Sequence, residues 1–145
     1  MKIRELITDL RELEDKRRAL ESIPDKIATL EIGFASIRAA SSDGEAVPGG
    51  GGNRREEAMI NNIAMRDKLR RDLEITRRDV ARMDAALAVL NADERLVIDR
   101  LFLHRSSDSV DRLCVELCFS RAQVYRLKDY ALNHLARVLY GIVEL

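Results

Sequence analysis

What this 145-residue chain lacks narrows it at once: it has no tryptophan, three tyrosines, three phenylalanines, two prolines and two cysteines. Aromatics at 4% beside charged side chains at 34% give the composition of a long-helix protein, close to the class rich in Ala, Glu, Lys, Leu and Arg. Cys114 and Cys118 stand one helical turn apart, too close for an ordinary disulfide framework, which suits a reducing compartment. No apolar run approaches the roughly 18 residues of a membrane span, and residues 1–5 lead into an amphipathic pattern rather than an apolar signal core. A cytoplasmic location without membrane association is expected. No Ser-His-Asp set, paired carboxylates or metal set converges, so neither catalysis nor a cofactor is expected. His104 and His134 with the two cysteines fit no common zinc spacing. The glycines at 49–52 lack both a Gly-Lys-Ser/Thr ending and a preceding strand, which excludes a phosphate-cradling loop.

Net charge is also missing, since 25 basic side chains balance 25 acidic ones. Its distribution is uneven. Residues 1–53 carry net −2, residues 54–90 net +2 and residues 91–145 net 0, yet residues 120–138 alone carry net +3 through Arg121, Arg126, Lys128 and Arg137 against Asp129. A modest basic stripe on a neutral protein implies few phosphate contacts and moderate non-specific affinity for nucleic acid.

That stripe lies in the most informative stretch, residues 110–128, which reads as two helices joined by a tight turn. Cys114 sits where a helix-turn-helix wants a small residue, and Cys118 where its turn usually has glycine. Phe119 plugs the core and Ser120 caps the second helix. Val124, Leu127, Ala131 and Leu135 then recur at steps of 3, 4 and 4 as one buried stripe. The opposite stripe presents Arg121, Ala122, Tyr125, Arg126 and Asp129, and the first turns of such a second helix enter the DNA major groove. Tyr125 either stacks on or contacts the nucleic acid, or covers the edge of the core. A further helix is expected before the motif, capped by Asn91 or Asp93 and turning Leu96, Val97, Leu101 and Phe102 inward. His104–Ser109 follows as a polar loop, with Asp108 or Ser109 capping the next helix.

The first ninety residues divide around a glycine-rich joint. Ile3, Leu6, Leu10, Leu13, Leu20 and Ile23, then Ile27, Leu30, Phe34 and Ile37, follow helical steps with one slip near Leu20–Ile23. Pro24 predicts a kink or break there, with Ser22 and Asp25 capping a restart that runs to about Ala40. Residues 41–53 read as a flexible loop. Beyond it Leu69, Leu73, Thr76, Val80, Met83, Leu87 and Leu90 form a heptad seam, with Ile60 and Ile63 extending an apolar face upstream. Such a seam wants a partner helix. The first segment is the expected one, giving a long, coiled-coil-like antiparallel helical hairpin whose arms of about 35 residues each span on the order of 50 Å. Pairing between chains into a homodimer is the alternative. The basic and acidic pairs of the arms, such as Arg70-Arg71-Asp72 and Arg77-Arg78-Asp79, form a solvated face.

The residues Asp93-Glu-Arg-Leu-Val-Ile, Leu113 through Leu117, and Ser120-Arg-Ala-Gln-Val-Tyr-Arg-Leu-Lys-Asp-Tyr-Ala-Leu-Asn-His-Leu135 resemble region 4 of the sigma-70 family of transcription initiation factors. The whole chain resembles small prophage-encoded regulators with a sigma region 4-like C-terminus, the group of ArpU-like and RinA-like late-gene activators. The good match covers about 50 residues. Together with the periodicity of the arms, which match that group only in style, it leads to an all-α protein: residues 1–90 form the helical hairpin, with its loop at 41–53, and residues 91–145 a tri-helical helix-turn-helix domain. It also implies a sequence-specific regulator of transcription that reads double-stranded DNA through Arg121, Ala122, Tyr125 and Arg126; the helix pattern adds Ser120, Gln123, Lys128 and Arg137 to the expected DNA-binding set, with RNA polymerase as a candidate further partner of the arms. Ala122 stands where an acidic residue is common in that family and Tyr125 where a basic one is, so no target sequence carries over. A DNA-packaging recognition subunit of the small terminase kind and a coiled-coil adaptor that binds protein are the alternatives.

Overall fold

The computed structural model describes residues 2–42 and 51–141, the side chains of 41, 42, 51 and 52 set aside. All regular structure among them is helical: α1 (Lys2–Ser42), α2 (Gly51–Val89), α3 (Ala92–Ile98), a wider π-helical turn over Asp99–Leu103, α4 (Ser109–Leu117) and α5 (Arg121–Tyr140). No strand occurs among the described residues, and no helix in them is long and apolar enough to cross a membrane.

The chain divides into two compact units, one of Met1–Arg17 with Asp79–Leu145, the other of Arg18–Arg78. The division therefore does not fall at residue 90. The reason is visible in the core of the first unit, which draws Leu6, Leu10 and Leu13 from α1 and Val80, Met83, Ala86 and Leu90 from the α2 end, besides residues of α3 to α5. Arg82 of α2 donates to the carbonyl of Leu139 at 2.9 Å, and the ammonium of Lys2 lies 5.0 Å from the centre of the Tyr140 ring. A distinct cluster joins the three short elements to α5: Val97, Leu101, Leu113 and Val124 are buried, with Leu96, Phe102, Cys114, Phe119 and Leu127 packed around them. Burying such side chains is worth about 1.5–3 kcal/mol each before conformational entropy is subtracted.

In the second unit α1 and α2 run in opposite directions. The Asn62 amide donates to the Leu30 carbonyl at 2.8 Å, Arg70 pairs with Glu31 at 3.0 Å, and Arg55 reaches the Ala40 carbonyl. The buried and half-buried positions of α2 repeat as 55, 62, 69, 76 and 83 and as 59, 66, 73, 80 and 87, an unbroken heptad pattern.

Four expectations need correction. Pro24 does not break the chain, for α1 runs through it. Its ring lies on the exposed side while Ile23 and Ile27 stay on the packed side, so the loss of one backbone donor is set against apolar contacts on both flanks. Ser22 accordingly lies inside the helix and starts no new one. Ile60 and Ile63 are exposed rather than part of the seam, because the heptad places Asn62 and Arg66 there instead. Finally, 41–42 and 51–53 belong to helices; glycine and asparagine are cheap in a first turn, whose N–H groups have no intrahelical partner anyway. The rest of the expected loop, residues 43–50, lies outside the described residues.

Candidate nucleic-acid interface

The turn between α4 and α5 is built from three residues, each with a separate task. Cys118 adopts the left-handed conformation at φ 55°, ψ 42°. That geometry lets the Phe119 amide reach the Cys114 carbonyl at 3.1 Å and the Cys118 amide the Val115 carbonyl at 3.4 Å, the pair of bonds that closes a helix in a Schellman turn. Phe119 and Cys114 both pack on the cluster around Leu113, supplying the apolar contact that accompanies this closure. Ser120 is extended and starts α5: its hydroxyl accepts from the Gln123 amide at 3.2 Å, and the Gln123 side chain accepts from the Ser120 amide at 2.8 Å. The two orphan donors satisfy each other's residues reciprocally, a capping box worth about 1 kcal/mol.

The rotation of α5 is set from its buried side. Val124, Ala131, Leu132, Leu135 and Ala136 are buried. Farther along, Glu94 ties α5 to α3. This carboxylate is only 2% exposed; one oxygen accepts from the Asn91 amide at 3.1 Å and the other shares a hydrogen bond with His134 Nδ1 at 2.8 Å. His134 thus has a structural partner in Glu94.

With that face buried, the opposite face looks outward. Arg121, Ala122, Gln123, Tyr125, Arg126 and Arg137 are exposed and Lys128 is half-buried. Their surroundings differ. Arg121 Nη1 is held by Asp111 Oδ1 of α4 at 2.8 Å. The ammonium of Lys128 lies 5.3 Å from the centre of the Tyr125 ring and 3.7 Å from Asp129, a cation resting on an aromatic face. Gln123 spends its carbonyl oxygen on the cap. Arg126 and Arg137 have no side-chain hydrogen bond or ion pair to the described residues, and eleven residues bring them back to one face about 16 Å apart along the helix. Tyr130 and Asn133 fall on the same face at steps of 4 and 3 from Arg126. Tyr130 is 60% exposed. Sequence reasoning passed over both, although the spacing from Arg126 carries the signal.

At the start of α4 neither expected cap operates. Asp108 occupies the capping position, but its side chain makes no capping bond. Its carboxylate takes the Ser106 hydroxyl at 2.6 Å and Arg112 at 2.7 Å; the Ser106 hydroxyl, helped by Arg112, holds its carboxyl below the usual aspartate range. Ser109 is buried and accepts from the Ser106 amide, which tightens the preceding loop. Cys118 is exposed and Cys114 half-buried. No group of three or more His, Cys, Asp or Glu with metal-binding placement occurs among the described residues.

No protein-family model, curated protein or solved structure matches this chain.

Proposed function

We propose that the protein is a sequence-specific, double-stranded DNA-binding regulator of transcription, of the phage or prophage kind implied by its resemblance to sigma-70 region 4. In this reading α4 and α5 act as a helix-turn-helix, and the first turns of α5 enter the major groove. One observation carries it. The short Cys118–Ser120 turn and the capping box launch α5 with its apolar face on the three-helix cluster and its Arg121, Ala122, Tyr125 and Arg126 face open.

Labour divides along that helix. Arg121, Ala122 and Arg126 meet base edges, while Arg137 and Lys128 meet phosphates. Lys128 swings away from Tyr125 and Asp129 to do so. Few cations are engaged, so the logarithm of the binding constant falls with the logarithm of salt at a slope of about −2 to −4. The long helices α1 and α2 form an antiparallel helical hairpin that contacts RNA polymerase or a second copy of the chain.

Selection of bound sequences from random duplex DNA, followed by salt titration of the winner, tests the reading. The expected result is a defined consensus bound with that shallow slope. Binding to DNA only as a ring-shaped higher oligomer would instead mark a packaging recognition subunit, and the absence of salt-sensitive binding to any duplex would mark a protein-binding adaptor.

A further inference from the structure

One contact between α4 and α5 assigns a role to a residue outside the groove-facing set. Asp111 Oδ1 lies 2.8 Å from Arg121 Nη1, with side chains 70% and 63% exposed. An ion pair so open to water adds little to stability. Nor does α5 ask for the cation here, whereas Asp111 stands in the first turn of α4, where an anion suits that helix's dipole. Arg121 is the first residue of α5, where the helix macrodipole disfavours a cation, and Ser120 with Gln123 already closes that end. A carboxylate near a duplex repels phosphate as well, so a neutral side chain at 111 would bind DNA more readily.

The geometry points to Asp111 as the positioning residue for Arg121, an inference that rests on the DNA-binding reading above. The carboxylate holds Nη1 and leaves Nη2 and Nε, which have no partner among the described residues, as the outward edge. Those two donors match the paired acceptors O6 and N7 of guanine. At the correct base pair the guanidinium satisfies guanine and keeps Asp111. At a wrong one it can reach a phosphate only by leaving Asp111, which uncovers the carboxylate beside the backbone. Asp111 therefore widens the gap between right and wrong sites by penalising the wrong ones.

The experiment measures affinity for the selected duplex and for a scrambled one at fixed salt, using the full chain and its variants Asp111→Asn, Arg121→Ala and the double variant. Helix content and thermal midpoint check the folding of each; both positions are exposed, so these are expected to stay near the wild type. The ratio of the two affinities is expected to fall about three-fold or more in Asp111→Asn, with scrambled-site binding equal or tighter. The same substitution in the Arg121→Ala background should leave the ratio where Arg121→Ala alone puts it. If Asp111→Asn keeps the wild-type ratio, or lowers it equally in both backgrounds, the positioning role is overturned while the DNA-binding reading stands. A wild type with no preference between the duplexes overturns both.

Discussion

Cys118 carries a backbone conformation that glycine adopts at no steric cost, and it is exposed, so its side chain contributes little packing in return. Cys118→Gly is expected to raise stability by about 0.5–1 kcal/mol, seen as a higher midpoint in thermal or urea unfolding. Tyr140 offers a pH test. Burial raises the pKa of its phenol, with the negative charge of Asp9 acting in the same direction and Arg82 against it. A folded value above the unfolded one means that the neutral phenol stabilises the fold. That contribution is complete below about pH 10 and is lost as pH rises through the folded value. Urea unfolding between pH 8 and 11 should therefore show a steeper alkaline decline in the wild type than in Tyr140→Phe; parallel curves would contradict it. At this scale the sequence was legible where one residue serves its own neighbourhood, as Ser120 and Cys118 do. Asp111 with Arg121, and Glu94 with His134, are joined only by the way helices pack, ten and forty residues apart, and no local pattern announces them.

Among the elements, the periodic signal was the reliable one. The seam from Leu69 to Leu90 and the stripe from Val124 to Leu135 both lie on packed faces, because spacing alone decides which side of a helix a residue occupies. Local rules failed where packing outweighed them, as at Pro24. The apolarity of Ile60 and Ile63 misled because heptad register, not residue type, sets the inward positions; it puts Asn62 inside at 8% exposure. Asn62 bonds the Leu30 carbonyl and accepts from Arg66 Nε at 2.8 Å, and Arg66 in turn lies over the Phe34 ring. A buried amide of this kind fixes register at some cost in stability. Asn62→Leu is thus expected to raise the thermal midpoint, by a change worth about 1 kcal/mol, while loosening the pairing of α1 with α2 in hydrogen exchange. A lower midpoint with unchanged exchange would show that Asn62 is instead a net stabiliser.

For the whole molecule, zero net charge says little about nucleic acid until the charges are placed. Acidic partners occupy two of the four cations of α5, Arg121 through Asp111 and Lys128 through Asp129, leaving Arg126 and Arg137 without an acidic partner among the described residues. Under the proposed DNA-binding function, that pattern would mean few phosphate contacts and an arginine held ready at the helix start. The all-helical class was plain from composition and period, but the grouping of the ends of α1 and α2 with the C-terminal helices was not, since it depends on contacts between segments more than sixty residues apart. The most direct measurement compares the wild type with Arg121→Ala on the selected and the scrambled duplex across a salt titration. The account predicts that Arg121→Ala removes most of the preference, about 1–3 kcal/mol, while scrambled-site binding and its salt slope persist. A variant that keeps the full preference would contradict the assignment of α5 as the helix that reads DNA.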